Sequence, residues 1–308
     1  MDSKATALRK LMASGEMLLI PGCFDPLGGR LIEELGYKAA YVGGFATGSH
    51  LVHTEPLLQL NDQVEVAARI AKVIDIPVLA DAHAGWGDAL HTVRTVREFE
   101  AAGIAGFHIE DQVVPKRASY FKNIIHILPR DEFIKKMKIA VKAKKNPDTV
   151  IIGRTDAFAA QHGGREEAVA RAKAMIEVGV DMIFFRGARE IEHYEYFRKQ
   201  LGDFPQFTVA HGDIPADFFR KLKFNIIVYP TAATIVYYSA LRDLYITLKE
   251  KGLGSYTRDQ YWETRKLLYQ TVDLPAMWEL ERETVEDVDM PETSLPVTNL
   301  KAKRKIAS

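Results

Sequence analysis

Short apolar runs recur along the chain at intervals of roughly 20 to 40 residues. They are "MLLI" from position 17, "AAYVGG" from 39, "PVLAD" from 77 and "GFHIED" from 106, then "VIIGRTDA" from 150, "MIFFRG" from 182, "FTVAH" from 207 and "NIIVYP" from 225. Each is short and shows no clean alternation of apolar and polar residues, the pattern of a strand buried on both faces. Stretches with helical periodicity separate most of them, such as "DALHTVRTVREFEAAG" and "REEAVARAKAMIEVG". Gly36, Gly103 and Gly179 stand where helices stop, which suits a left-handed C-terminal cap. Eight strands alternating with helices predict an α/β fold, a (β/α)8 TIM barrel. An open doubly wound sheet is the alternative, but no G-x-G-x-x-G turn follows the first strand.

Beyond the eighth strand the repeat ends. "ATIVYYSALRDLYITLKEKG" and "TRDQYWETRKLLYQTV" read as helices, and "LPAMWELERETVEDVD" adds Met277 and Trp278 on a short amphipathic piece. The pattern predicts a barrel domain over 1–252, a helical extension over 253–288 and a flexible tail over 289–308. An aromatic helix outside a finished barrel needs a surface to cover it, so the extension is expected to pack on a neighbouring subunit.

Composition narrows the class. The 308 residues are 47% hydrophobic, enough for a large core. Lys plus Arg and Asp plus Glu both number 41, so no charge excess points to nucleic acid or an anionic membrane. The first 16 residues read as a polar amphipathic helix rather than a signal peptide, and no run of 18 apolar residues offers a membrane span. Cys23 is the only cysteine, which excludes an internal disulfide and argues against a thiolate metal site. A cytoplasmic protein is expected.

The candidate chemistry lies where the predicted strands end, the catalytic face of such barrels. Tyr41 precedes Gly43 and Gly44 on the second strand. Asp81 and His83 close the third, His108 and Glu110 the fourth, Arg154 and Asp156 the fifth, and His211 the seventh. Residues two apart share a strand face. Two carboxylates about 4 Å apart repel by roughly 4 kcal/mol at an effective dielectric near 20, so such a set calls for Arg154 or a divalent cation. Any one of these acids alone is equally well read as a helix cap or a strand-end ion pair. Their recurrence on successive strands favours a shared site.

In this order, "YVGG", "LADAHAGWG", "GFHIEDQ", "KR" at 116 and "IIGRTDA" resemble the isocitrate lyase/phosphoenolpyruvate mutase superfamily, in particular its methylisocitrate lyase-like members, from about residue 16 to about 285. The resemblance implies a (β/α)8 barrel, Mg2+ (with Mn2+ as a substitute), a homotetramer with swapped terminal helices, and a small 2-oxo or 2-hydroxy acid as substrate. By the same resemblance Asp81 is the direct metal ligand, Glu110 a ligand through water, and Glu55 an acid where relatives carry aspartate. The backbone amides of Gly43, Gly44 and Phe45 hold a substrate carboxylate. Arg154 pairs with developing oxyanion charge, and Tyr41 is a proton donor near the metal.

The departures matter as much. His83 stands where relatives have a second aspartate, and imidazole suits a transition metal better than Mg2+. The loop cysteine of the lyases is replaced by Ala118 in "PKRASY", leaving Tyr120 or His211 to supply the lost acid. Arg186 replaces a strand-six glutamate and brings positive charge to the second half of the pocket. Lys116 is expected to reach the substrate from a lid, and Trp86 to form a pocket wall. The leading expectation is a Mg2+-dependent carbon–carbon lyase acting on a small 2-hydroxy di- or tricarboxylate through an enolate. Alternatives are a 2-oxo acid decarboxylase, a phosphonopyruvate-type enzyme, and a catalytically silent metabolite binder.

Overall fold

The computed structural model describes residues 2–116, 124–210, 214–252, 254 and 256–284. Eight strands form one parallel sheet: β1 (Leu18–Pro21), β2 (Ala40–Val42), β3 (Val78–Asp81), β4 (Gly106–Glu110), β5 (Val150–Thr155), β6 (Met182–Phe185), β7 (Gln206–Val209) and β8 (Ile226–Tyr229). Their order is β1-β8-β7-β6-β5-β4-β3-β2, so every neighbour is also a sequence neighbour except the pair formed by β1 and β8. The remaining seam, between β1 and β2, is held by an isolated Gly22–Tyr41 bridge and by the Cys23 amide donating to the Tyr41 carbonyl at 2.9 Å. This is the (β/α)8 barrel that the strand count predicted.

In chain order the helices are α1 (Lys4–Ala13), α2 (Pro26–Glu34), α3 (Gly44–His50), α4 (Leu60–Val73), α5 (Ala89–Ala101) and α6 (Arg130–Ala143). They continue as α7 (Arg165–Glu177), α8 (Ile191–Leu201), α9 (Ala216–Lys221), α10 (Ala232–Lys251), α11 (Arg258–Thr271) and α12 (Leu274–Thr284). Gly36, Gly103 and Gly179 follow the ends of α2, α5 and α7 with φ of 85°, 76° and 93°, the left-handed conformation that a side chain resists.

Each strand is buried on both faces, and the two faces have different partners. Outward residues such as Val42, Ala80, Phe107, Ile151, Ile183 and Ile227 pack against the helices, with Phe99 and Phe133 among the fully buried anchors. Inward residues form a second cluster that includes Leu18, Ile20, Leu79, Ile152, Met182 and Val228. The lower interior is therefore apolar, and the polar side chains begin only toward the strands' C-terminal ends. Helix α1 contributes to that lower cluster: Leu8 is fully buried among the strand residues. Arg9 secures α1 by pairing with Asp181 at 2.7 Å and donating to the carbonyls of Asp148 and Thr149.

The chain divides into two compact units, Met1–Ile235 and Val236–Ser308. In the second, α11 starts with a reciprocal Thr257–Gln260 capping box, and the Arg265 guanidinium lies over the rings of Tyr261, Trp262 and Tyr269. Many apolar side chains of this unit face solvent, among them Val236, Tyr238, Tyr245, Leu267 and Met277. Among the described residues no helix is long and apolar enough to cross a membrane.

Leu8 gives a direct test of the plugged barrel floor. Leu8→Ala is expected to cost about 2–4 kcal/mol by opening a cavity there. Equilibrium denaturation in urea measures it, and a change under about 0.5 kcal/mol, the size of an ordinary surface substitution, would contradict the packing.

Candidate active site

The alternation along each strand carries the inward series from apolar to charged. Leu79 leads to Asp81 on β3, His108 to Glu110 on β4, and Ile152 to Arg154 on β5. Register then aligns them across strands. Asp81 lies opposite His108, and Glu110 lies opposite Arg154. All four line or adjoin one cavity of about 250 Å3, together with Tyr41, Gly43, Gly44, Phe45, Glu55, Lys116 and Arg186.

Arg154 is the centre of this arrangement. Its Nε and Nη2 donate to the two oxygens of Asp156 at 2.8 and 3.1 Å, a bidentate pair, while Nη1 lies 2.7 Å from Glu110 and 3.9 Å from Asp81. Asp156 is held further by Gln112 Nε2 at 2.7 Å and faces Arg186 Nε at 3.8 Å. Behind it, the buried Asp111 accepts from the Asp156 amide, the Thr155 hydroxyl and Arg171, tying the ends of β4 and β5 to α7.

Lys116 lies only 6% exposed among the acids rather than at the surface. Its ammonium donates to Glu55, lies 3.0 Å from Glu110 Oε1 and is 3.5 Å from His83 Nδ1. Burial works against charge on Glu55, but Lys116 holds its carboxyl below the usual range. Burial opposes the Asp81 carboxylate too, yet the facing His108, Lys116, His83 and Arg154 hold it well below its ordinary value. Glu110 goes the other way: full burial pushes its carboxyl up to about 7 against the pull of Arg154 and Lys116. Burial drives both His83 and His108 down to about 4, leaving neutral imidazoles at pH 7. Tyr41 and His108 Nε2 share a hydrogen bond of 2.7 Å, and burial keeps the phenol protonated far above its usual range.

Both Glu110 oxygens are fully buried and make no hydrogen bond, because the contacts to Lys116 and Arg154 lack its geometry. Orphaned carboxylate oxygens next to Asp81 and Glu55 fit a divalent cation that takes oxygen ligands. Among the described residues, no three acidic or imidazole groups converge as a finished ligand shell. The Lys116 ammonium stands between them.

The loop after β3 has a conformation of its own. His83, Gly85 and Trp86 take φ of 48°, 72° and 51°, a run of left-handed residues that turns backbone carbonyls toward the core. Thr95 donates to the Gly85 carbonyl at 3.0 Å, and Lys136 of α6 donates to the carbonyls of Ala84 and Gly87. Trp86 stands behind His83, ring centroids 4.8 Å apart, with its indole N–H donating to Leu58. Trp86, expected as a pocket wall, instead stands between His83 and Phe99 of α5 and does not line the cavity. Gly44 is needed where it is because a Cβ there would lie 2.7 Å from His83 Nε2. Tyr120 and His211, the candidate acids, lie outside the described residues.

Four side chains of the site had no assigned role in the sequence reading: His108, Gln112, Asp156 and Asp111. Spacing carried a signal for two of them. His108 is two residues before Glu110 and Asp156 is two after Arg154, so both share the inward face. Nothing local signals that Gln112 and Asp111 reach across to β5.

Comparison with known proteins gives the family of this barrel. The phosphoenolpyruvate phosphomutase family model covers residues 8–248. The chain belongs to the phosphoenolpyruvate mutase/isocitrate lyase superfamily. It is 34% identical to 2,3-dimethylmalate lyase of Eubacterium barkeri over 80% of this chain and 86% of the relative. It is 32% identical to the probable 2-methylisocitrate lyase 1 of Corynebacterium glutamicum, over 80% and 82% respectively. Among solved structures, phosphonopyruvate hydrolase in complex with oxalate and Mg2+ superposes with a TM-score of 0.83 at 25% identity, covering 92% of this chain and all of that one. This superfamily member is an enzyme of the carbon–carbon lyase type.

Lys136 offers a test of the loop's support. Burial lowers its ammonium to about 8, against the pull of Glu110, Asp88 and Glu132. The unfolded chain, with a value of roughly 10.4, therefore binds more protons between pH 8 and 10, and stability rises with pH across that window by at most about 3 kcal/mol. Lys136→Met lacks this increment. Denaturation at pH 7.5 and pH 10 is expected to show the wild type gaining on the variant; a constant difference would contradict a buried, strained ammonium.

Proposed function

We propose that this superfamily member is a divalent-cation-dependent lyase that cleaves a carbon–carbon bond in a small 2-hydroxy di- or tricarboxylate and releases a 2-oxo acid. The observation that carries the reading is the meeting of Asp81, Glu110 and Arg154, from three adjacent strands, at a cavity of about 250 Å3 that Asp81 and Arg154 line. That volume suits a small acid. Arg154, Lys116 and Arg186 all line it, so positive charge is available for the carboxylates of such a substrate.

In this reading Asp81, with Glu110 and Glu55 near it, would hold the cation, Mg2+ in the leading form, and the ion would supply Lewis-acid charge to the substrate. The amides of Gly43, Gly44 and Phe45, at the start of α3, receive a carboxylate; no side chain caps that end of the helix. Glu110, whose carboxyl is pushed up to about 7, takes the 2-hydroxyl proton. The resulting alkoxide becomes the 2-oxo group as the adjacent carbon–carbon bond breaks, and the electron pair leaves with the departing fragment as an enolate that is then protonated at carbon. Arg154, held rigid by Asp156, faces the developing oxyanion with no reorganisation cost at the moment of bond breaking. Tyr41, fixed by His108, is the hydrogen-bond and proton donor beside it. Arg186 binds the far carboxylate of the departing fragment. Tyr120 and His211 remain the candidates for the proton that the missing cysteine would have carried. The exposed apolar side chains of the second unit support burial against neighbouring copies in a cytoplasmic homotetramer.

Ala118 in place of the loop cysteine favours a second reading, decarboxylation of a 2-oxo acid such as oxaloacetate. It releases CO2 and leaves the enolate on the 2-oxo acid itself, beside Asp81 and Arg154, so no separate acid is needed for a leaving fragment.

A panel of 2-hydroxy acids and oxaloacetate, incubated with Mg2+ or Mn2+, decides between them. Lyase turnover appears as 2-oxo acid release followed by coupled reduction; decarboxylation appears as CO2 with no second acid. Metal-dependent oxalate binding without turnover of any member would overturn both and leave a silent metabolite binder. Arg154→Lys keeps the charge but loses the two-pronged bond. It is expected to lower turnover at least about 100-fold while circular dichroism stays unchanged. Full activity in that variant would end the assignment.

A further inference from the structure

In the strand order of the barrel, β7 and β8 stand across the mouth from β3 and β4, whose ends carry the acids. What they contribute is of another kind. Among the described residues, the cavity lining supplied by β6, β7, β8 and the turns after them holds one charged side chain, Arg186. Phe184, Ala188, Val209 and Pro230 make up most of the rest, joined by the exposed ring of Phe45 from α3. Arg154 lies over the Phe184 ring, 5.4 Å from its centroid, and that ring meets Phe207 edge to face at 5.1 Å. Pro230 borders the amides at the start of α3, since a Cβ on Gly43 would lie 3.6 Å from its Cβ. Thr208 and Thr231 add neutral hydroxyls, and that of Thr208 is hydrogen-bonded to Tyr194 of α8.

The positive charges of the site already have acidic neighbours. Arg154 meets Asp156, Glu110 and Asp81, and Lys116 meets Glu55 and Glu110. Arg186, facing Asp156 at 3.8 Å, adds positive charge for one far carboxylate. A third carboxylate would lie against Val209 and Pro230, where it would lose water without gaining a charged donor. A hydrocarbon group gains from the same surroundings, because it leaves water for an apolar surface. We propose that the substrate is a 2-hydroxy dicarboxylate with a small alkyl branch on carbon 2 or carbon 3, seated against Val209 and Pro230, and not a tricarboxylate. The inference rests on the lyase reading for the 2-hydroxy acid skeleton and narrows it to one class. Val209 and Pro230 are then specificity-determining residues.

The test uses the full chain with Mg2+ and compares malate, 2-methylmalate, 3-methylmalate and isocitrate. A methyl group in an apolar pocket is worth about 10- to 200-fold in kcat/KM, so one of the branched malates is expected to exceed both malate and isocitrate at least about tenfold. Val209→Thr keeps the shape but sets a hydroxyl against the branch, and is expected to cut the preference over malate at least about threefold. Malate or isocitrate equal to or better than both branched acids would overturn the proposal, as would an unchanged preference in Val209→Thr. Should that variant fold poorly, the order of the acids on the wild type decides alone. If none of them is turned over, calorimetric titration with the same acids is expected to give the same order of affinity, and equal affinities overturn the inference. That order without turnover keeps this inference and sinks the lyase reading, so the two failures are separable.

Discussion

The Arg154 guanidinium engages three buried carboxylates at once: Asp156 through a bidentate pair, Glu110 at 2.7 Å and Asp81 at 3.9 Å. Taken singly, any of these acids would cost several kcal/mol to bury as an ion. Together with Lys116 they form a network in which each charge has an opposite neighbour, and the polar mouth can therefore sit directly above an apolar barrel floor. Balance is incomplete at Glu110, whose oxygens lack hydrogen bonds and whose carboxyl is pushed toward neutrality. That residual need is what the proposed cation would meet.

The scaffold behind the charges is built to keep them from moving. Asp111 joins the ends of two strands to Arg171 of α7, and Lys136 and Thr95 hold the left-handed loop that carries His83. These residues touch no substrate in the proposed chemistry. Their work is to remove the conformational freedom that would let a carboxylate rotate away from its partner, since electrostatic stabilisation depends on groups already in place.

In the proposed reading one half of the pocket, around Asp81, Glu110 and Arg154, follows the superfamily pattern expected for a 2-oxo acid product, and the other departs from it. In sequence the departures are His83, Ala118 and Arg186. A shared barrel cannot choose among lyase, decarboxylase and phosphonate chemistry; those differences reside in the few side chains that face the departing group. Arg186, paired toward Asp156 yet lining the cavity, is the change that most directly alters what that group can be.

The barrel was legible in the sequence because strand burial on both faces, helix periodicity and glycine stops are local properties, and eight repetitions of them leave few architectures. The polar strand ends were legible for the same reason: a period of two places Asp81, Glu110, Arg154 and Asp156 on inward faces before any contact is known. Which partner each one takes was not legible. Lys116 turns into the acid cluster, Trp86 stands behind His83, His108 takes the Tyr41 hydroxyl and Asp111 reaches Arg171 across 60 residues of chain. Those choices depend on strand register, on the stagger of the closed sheet and on the reach of loops. Such quantities arise only when distant segments are brought together, and no periodicity within one segment encodes them.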